Sequence, residues 1–222
     1  MVLGSKRIIP TWVQLLIMTP AEVNKIIHKE FQILENDTLP FANADFLSTR
    51  KHLAKLLGLL GYNLGAEIGV ASGRHSVLLF NNIKGLKLIC VDPWKEYDGL
   101  TPVSQHRVDR TYRDCLSRLE GKNVEYIKKI SIEAAKQIDD ESLDFVYIDA
   151  AHDFDSSMLD IIHWVPKVHV GGIVAGRNYH KYHRSGAMPA VAAYTRANKI
   201  SEWYVTSNKG VDPYPTWFWV KC

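Results

Sequence analysis

The chain has 222 residues, 46% of them hydrophobic and 23% charged, with a formal net charge of +3. That length and apolar content fit one domain with a substantial core, and so small a positive balance does not imply the electrostatic footprint of a nucleic-acid binder, so no nucleic-acid partner is expected. Cys90, Cys115 and Cys222 are widely spaced, odd in number and lack any C-x-x-C pair, which excludes a disulfide framework and a zinc site and points to a reducing, cytoplasmic compartment.

Near the start, Lys6-Arg7 precedes an apolar run over residues 8–18. Pro10, Trp12 and Gln14 interrupt that run, no small-residue cleavage site follows, and it is too short to span a bilayer. It reads as a docked arm, with no membrane partner. Thr19-Pro20-Ala21-Glu22 is a capping box with proline at the first helical position, and Val23, Ile26, Ile27 and Leu34 mark one face of the helix it opens. Residues 1–45 are thus expected to form an arm and a helix that pack on a core domain of residues 46–222. Leu53, Leu56, Leu57 and Leu60 keep a helical rhythm up to Gly61, and a strand follows that ends at Glu67.

Residues 76–80 are expected to be helical and 86–91 to form a buried strand. Val108, Tyr112, Cys115, Leu116 and Leu119 share a helix face behind the cap Ser104. Strands follow over 124–127 and 143–148. Met158, Ile161, Ile162 and Val165 then face one way along a helix capped by Asp153 or Asp155. Residues 168–175, broken by Gly171-Gly172, read as a turn plus a strand. After a helix over 189–197, the aromatic segments 203–206 and 216–220 predict an antiparallel hairpin around a loop containing Gly210 and Pro213. Alternating strands and helices predict a doubly wound α/β domain of Rossmann-like form, with a mostly parallel sheet covered by helices on both faces.

The chemistry concentrates after the strands. Glu67-Ile68-Gly69-Val70-Ala71-Ser72-Gly73 places a small-residue turn after one strand, and Asp92 ends the next. Such a pair suits a nucleoside, the turn approaching it with backbone and the carboxylate accepting from ribose hydroxyls. The dinucleotide fingerprint G-x-G-x-x-G would need glycines at Ala71 and Arg74, so a pyrophosphate fits poorly, and Glu67 would place a negative charge beside it. Asp92 alone could equally be a turn acid. Trp94, after Pro93, is either a pocket wall or a core residue.

The run acid-x-Gly-x-x-x-Gly, with Asp92 downstream, resembles the first motifs of class I S-adenosylmethionine-dependent methyltransferases, although the usual form has glycine where Ala71 stands. The terminal reversed hairpin resembles their seven-stranded topology, and the likeness covers roughly residues 46–222. It implies S-adenosyl-L-methionine as cofactor. Glu67, Gly69, Val70, Ala71, Ser72, Gly73, Asp92, Pro93 and Trp94 would then surround it, with Ser131-Ile132 meeting adenine. Residues 143–155, L-D-F-V-Y-I-D-A-A-H-D-F-D, resemble the fourth-strand motif of the small-molecule O-methyltransferase-like group, the methyltransferase domain 24 type, in which a strand-end Asp and a His three residues later face the reaction centre. Asp149 and His152 hold those places here, with Asp149 also facing the cofactor; taken without the likeness, His152 reads as a loop histidine bonded to backbone.

Methyl transfer relies on holding the acceptor against the methyl group, and a hydroxyl acceptor gains from a general base. His152 is the first candidate and His180, after the fifth strand, the second. Some magnesium-dependent small-molecule O-methyltransferases that resemble this fold place an acid-Asn or acidic pair where this chain has Arg177-Asn178, and the related small-molecule group usually shows His-Asp there; the fixed charge of Arg177 opposes a cation, so no catalytic metal is expected. The acceptor is expected to be a polar small molecule, shaped by the N-terminal helices, the loop over 94–101, the cluster His180-Lys181-Tyr182-His183-Arg184 and the loop near Tyr214. The aromatic hairpin and the N-terminal arm are candidate subunit contacts in a homo-oligomer. Two other readings stand beside this one: a cofactor-binding methyltransferase-like protein without turnover, motivated by Arg177-Asn178, and a nucleotide-dependent oxidoreductase on the same layered fold.

Overall fold

The computed structural model describes residues 18–34, 38–43, 45–96, 104–181, 185–207 and 213–222. The arm over 1–17, most of the loop over 94–101, Tyr182, His183, Arg184 and Gly210 lie outside them.

Thr19 opens α1 (Pro20–Phe31) with a reciprocal box, its hydroxyl accepting from the Glu22 amide while the Glu22 carboxylate accepts from the Thr19 amide at 2.8 Å. The helix ends at Phe31, Gln32 turning left-handed, so Leu34 lies past it and is exposed, contrary to the expected stripe. Then come α2 (Arg50–Leu59), β1 (Leu64–Ile68), α3 (Arg74–Asn82), β2 (Lys87–Val91), α4 (Gln105–Arg118), β3 (Val124–Ile127) and α5 (Ser131–Ala135). The chain continues through β4 (Leu143–Ile148), α6 (Phe154–Trp164), β5 (Val168–Gly176), α7 (Ala187–Ala197), β6 (Trp203–Val205) and β7 (Trp217–Val220).

The strands form one seven-stranded sheet in the order β3-β2-β1-β4-β5-β7-β6, parallel except where β7 meets β5 and β6. Strand alternation sends Cys90, Phe145, Tyr147, Ala175 and Phe218 into a core shared with α1 to α4. Ile68, Val91, Val146, Ile148 and Val174 point the other way, into a core shared with α5, α6 and α7. Fully burying one such aliphatic or aromatic side chain stabilises the fold by roughly 1.5–3 kcal/mol before entropy is counted. Among the described residues no helix is long and apolar enough to cross a membrane.

Several expected faces shift. In α4, Cys115 is buried while Leu116 is exposed. In α6 the buried face is Ser157, Asp160, Ile161 and Trp164, and Ile162 is exposed, because the helix turns a mixed polar and apolar stripe to the sheet. Its cap is Asp153, which accepts from the Ser156 amide at 2.9 Å; Asp155 follows in the first turn. Gly171-Gly172 do not break β5 into turn and strand. They lie in a bulge, with the register against β4 jumping from Leu143↔Val168 to Phe145↔Ile173, and Gly171 takes φ +87°. The aromatic hairpin is a poor subunit contact, since Trp203, Tyr204, Trp217, Phe218 and Trp219 are all buried within the chain. The outer edge of β6 is itself paired: Phe41 donates to the Trp203 carbonyl and accepts from the Val205 amide, each at 2.9 Å.

Candidate functional site

Parallel register decides where the site forms. Ile68 pairs with Val91 and Ile148, and Ile148 pairs with Gly176, so the strands end level and the next residues, Gly69, Asp92, Asp149 and Arg177, stand in one row. The row is tied by backbone bonds from Gly69 to Val91, from Asp149 to Ile68 and from Arg177 to Ile148, at 2.7–2.9 Å. Strand order reverses between β1 and β4, the place where open α/β sheets collect ligands.

A cleft of about 300 Å³ opens there, the low end of small-molecule pockets. Ile68 and Gly69, Val91 to Pro93, and Ala150 with Ala151 form its sheet side. Ser131 and Ile132 of α5 and Ser156, Leu159 and Asp160 of α6 close the other. Gly69, at φ +87°, brings bare backbone to the wall; a Cβ there would overlap the Asp149 carbonyl.

Asp92 organises the loop beneath the cleft. Its Oδ2 accepts from the Ala71 amide at 2.9 Å and its Oδ1 from the Trp94 amide at 2.8 Å, leaving further lone pairs on both oxygens. Burial raises its pKa against the lowering effect of these two amides. The Trp94 indole N–H donates to the Ala71 carbonyl at 2.9 Å, so both peptide groups of Ala71 are held in a left-handed turn at φ +48°. Trp94 is buried against Tyr112 and Tyr126 and does not line the cleft. Arg74 is exposed; the contact of α3 with β1 is made instead by Ser76, whose hydroxyl donates to Glu67 at 2.6 Å. Glu67 is buried on the sheet face opposite the cleft, beside His75, whose Nδ1 lies 3.4 Å from its Oε1 and whose ring stacks on Tyr147.

At the β4 and β5 ends, Arg177 pairs with Asp149 at 3.5 Å and its guanidinium lies over the Tyr214 ring, 4.9 Å from the centroid. Burial pushes the Asp149 carboxyl up to about 7, outweighing the pull of Arg177 and Arg50. His152 follows the cleft wall directly and reaches solvent at its edge, with Nδ1 2.7 Å from the Asn178 amide nitrogen. Enough protein surrounds the ring for lost hydration, helped by the charges of Arg177 and His180, to lower its pKa. His180 packs against Tyr214 at 5.4 Å. Among the described residues no group of three or more His, Cys, Asp or Glu side chains converges as a metal site would.

A family profile described as a methyltransferase domain matches residues 66–179, just over half of the chain and all of the row described above. The chain belongs to this methyltransferase family. It is a class I S-adenosylmethionine-dependent methyltransferase, with S-adenosylmethionine as cofactor, and the oxidoreductase reading falls away. Comparison with curated proteins gives no significant match. Among solved structures, the O-methyltransferase from Bacillus cereus in complex with SAH is similar at 16% identity, with 94% of each chain covered and a TM-score of 0.56. The O-methyltransferase TomG from Streptomyces achromogenes, in complex with SAM, is 18% identical over 95% of this chain and 94% of its own, with a TM-score of 0.53. A putative rRNA methylase from Clostridium thermocellum reaches a TM-score of 0.57 at 11% identity, over 79% of this chain and 98% of its own.

The residues of the methyltransferase fit that cofactor on the structure's own terms. Gly69 lines the cleft with backbone alone, and Asp92 has lone pairs to give to a diol. The mainly apolar cleft suits a base and a sugar. Sequence reasoning missed two members of the site. Asn178, which the sequence offers only as the neighbour of Arg177 where relatives hold a metal, takes a left-handed turn at φ +64° and meets His152. Asp160 went unnoticed on α6, although its spacing with Ser157, Ile161 and Trp164 places it on one helical face.

Proposed function

We propose that this methyltransferase transfers the methyl group to a hydroxyl of a small molecule, with His152 as general base. When bound, S-adenosylmethionine supplies an electrophilic methyl group on a sulfonium centre. The residues of the chain do the rest. The loop over Gly69, Val70, Ala71, Ser72 and Gly73 holds the cofactor against backbone, and Asp92 accepts from its ribose. The Asp149–Arg177 pair fixes the strand ends so that the acceptor meets the methyl group in line.

The observation that carries the reading is the His152–Asn178 contact, His152 following directly on Ala150 and Ala151 of the cleft wall. As placed, Asn178 Nδ2–H donates to Nδ1, which puts the ring proton on Nε2; the base role requires the Asn178 amide turned over, so that its carbonyl oxygen accepts from Nδ1–H and Nε2 is free to take a proton. Asn178 is then the orienting partner and Nε2 faces the acceptor hydroxyl. A neutral imidazole is the competent form, and the lowering of the His152 pKa by lost hydration favours that form. Arg177 stands where related enzymes hold a cation ligand, and the reaction proceeds without a resident metal. The names of the Bacillus cereus and Streptomyces achromogenes relatives point to the same O-methylation.

The test is S-adenosylhomocysteine release from purified protein across a panel of phenols, sugar hydroxyls, amines and RNA. Transfer to hydroxyls is expected, with His152→Ala lowering turnover by about 10²–10⁴ while cofactor affinity holds. Wild-type turnover in that variant would remove His152 as the base, and preferred transfer to amines or RNA would overturn the acceptor class. Cofactor binding with no transfer to anything tested would favour the silent cofactor-binding reading.

A further inference from the structure

Asp160 is a carboxylate only 4% exposed, on the inner face of α6, and yet it forms part of the cleft wall. Behind it stands a directed pair of donors. The Trp164 indole N–H donates to the Ser131 hydroxyl oxygen at 2.8 Å, which leaves the hydroxyl hydrogen free to point onward, and the Ser131 hydroxyl stands near enough to Asp160 to act on its carboxyl as a donor, against the rise that burial causes. Among the described residues no cation pairs with this carboxylate, and Ser131 is the donor that faces it. An ionised carboxylate holds about four acceptor positions, and one buried beside apolar walls without a full set of donors is costly. The remaining acceptor capacity opens into the cleft, so the group that completes it comes from the ligand.

We propose that Asp160 reads the base of the cofactor, its carboxylate accepting a hydrogen bond from the exocyclic 6-amino group of adenine. Ser131 is the positioning residue, holding one carboxylate oxygen so that the other faces the base. The cleft thereby selects 6-aminopurine nucleosides and rejects 6-oxopurines, whose carbonyl oxygen would meet the carboxylate acceptor to acceptor. Burial pushes the Asp160 carboxyl up to about 6, so it remains mostly ionised, and acceptor-only, at pH 7.5. Selection of this kind is strong because a mismatched ligand leaves a buried polar group unpaired. The inference rests on the cofactor's lying in this cleft, and the experiment separates the two.

Isothermal titration at pH 7.5 with S-adenosyl-L-homocysteine and its 6-oxo counterpart, S-inosyl-L-homocysteine, needs no turnover. The wild-type protein is expected to prefer the adenosyl ligand by at least about tenfold, the scale of one hydrogen bond to a charged group. Asp160→Asn, confirmed folded by its thermal melt, should weaken adenosyl binding by about tenfold and bring the two ligands within about threefold of each other, because a neutral amide both accepts and donates. Equal wild-type affinity for the two ligands would overturn the role of Asp160 while leaving the cofactor site standing, and this arm requires no variant to fold. An undiminished preference in folded Asp160→Asn would overturn it as well. No binding of S-adenosyl-L-homocysteine by the wild-type protein would overturn the placement of the cofactor and this inference together.

Discussion

Gly69 and Ala71 show how much of the loop rests on single backbone positions. Gly69 takes φ +87° with the Asp149 carbonyl against the place of a Cβ, so Gly69→Ala meets both a left-handed penalty and an overlap with backbone that has no flexible end to give way. It should lower unfolding stability by about 2–4 kcal/mol in urea titration and abolish cofactor binding by calorimetry; a variant that unfolds like the wild type would contradict the close approach. Ala71 tolerates φ +48° because Asp92 and Trp94 hold its two peptide groups. The glycines and Asp92 were legible in the sequence because turn chemistry demands those residue types. The place of Trp94 was not, since a tryptophan beside a pocket and one beneath it read alike until the Tyr112 and Tyr126 rings are placed.

Whole elements were legible where local signals agree with packing. The capping box of α1 marked its start to the residue, and its buried face, Val23, Ile27 and Phe31, continues the rhythm into the core of β5 and β7. Thr19→Ala, which removes the cap hydroxyl, is expected to lower stability by about 1 kcal/mol, and Ile27→Ala by about 2–5 kcal/mol, both read from denaturant midpoints. Equal losses in the two would mean that α1 is docked by its end and not by its face. The bulge in β5 escaped notice because Gly171-Gly172 look the same in a turn and in a register shift; what separates them is the neighbouring strand β4, far away in sequence. The inner stripe of α6 escaped because Ser157 and Asp160 lie where apolar residues would mark the core.

At the scale of the molecule, the buried carboxylates set a pH dependence. Asp149, raised to about 7, and Asp160, raised to about 6, bind protons in the folded protein between pH 4 and 7 that the unfolded chain has already released. Their contribution is fully present below the unfolded carboxylate pKa and is lost as pH rises through the folded values. His152, lowered, acts in the opposite sense below pH 6.5, so the carboxylate effect is best isolated by difference. Asp160→Asn without ligand should gain on the wild type as pH rises from 4 to 7, by on the order of 3 kcal/mol, the worth of the gap between 3.8 and about 6. A stability difference that stays flat across that range in thermal melts would contradict the shift. The order of the whole sheet was legible in outline from alternating patterns and the final hairpin, while the level strand ends that create the site depend on a register no single segment carries.

Phe41 lends a last consequence to this arrangement. Its two backbone bonds occupy the outer row of donors and acceptors on β6. A molecule in which residues 38–43 came loose would keep its sheet and the row of strand ends but bare a ready template for another copy to zip onto, so clumping in solution would come before any melting.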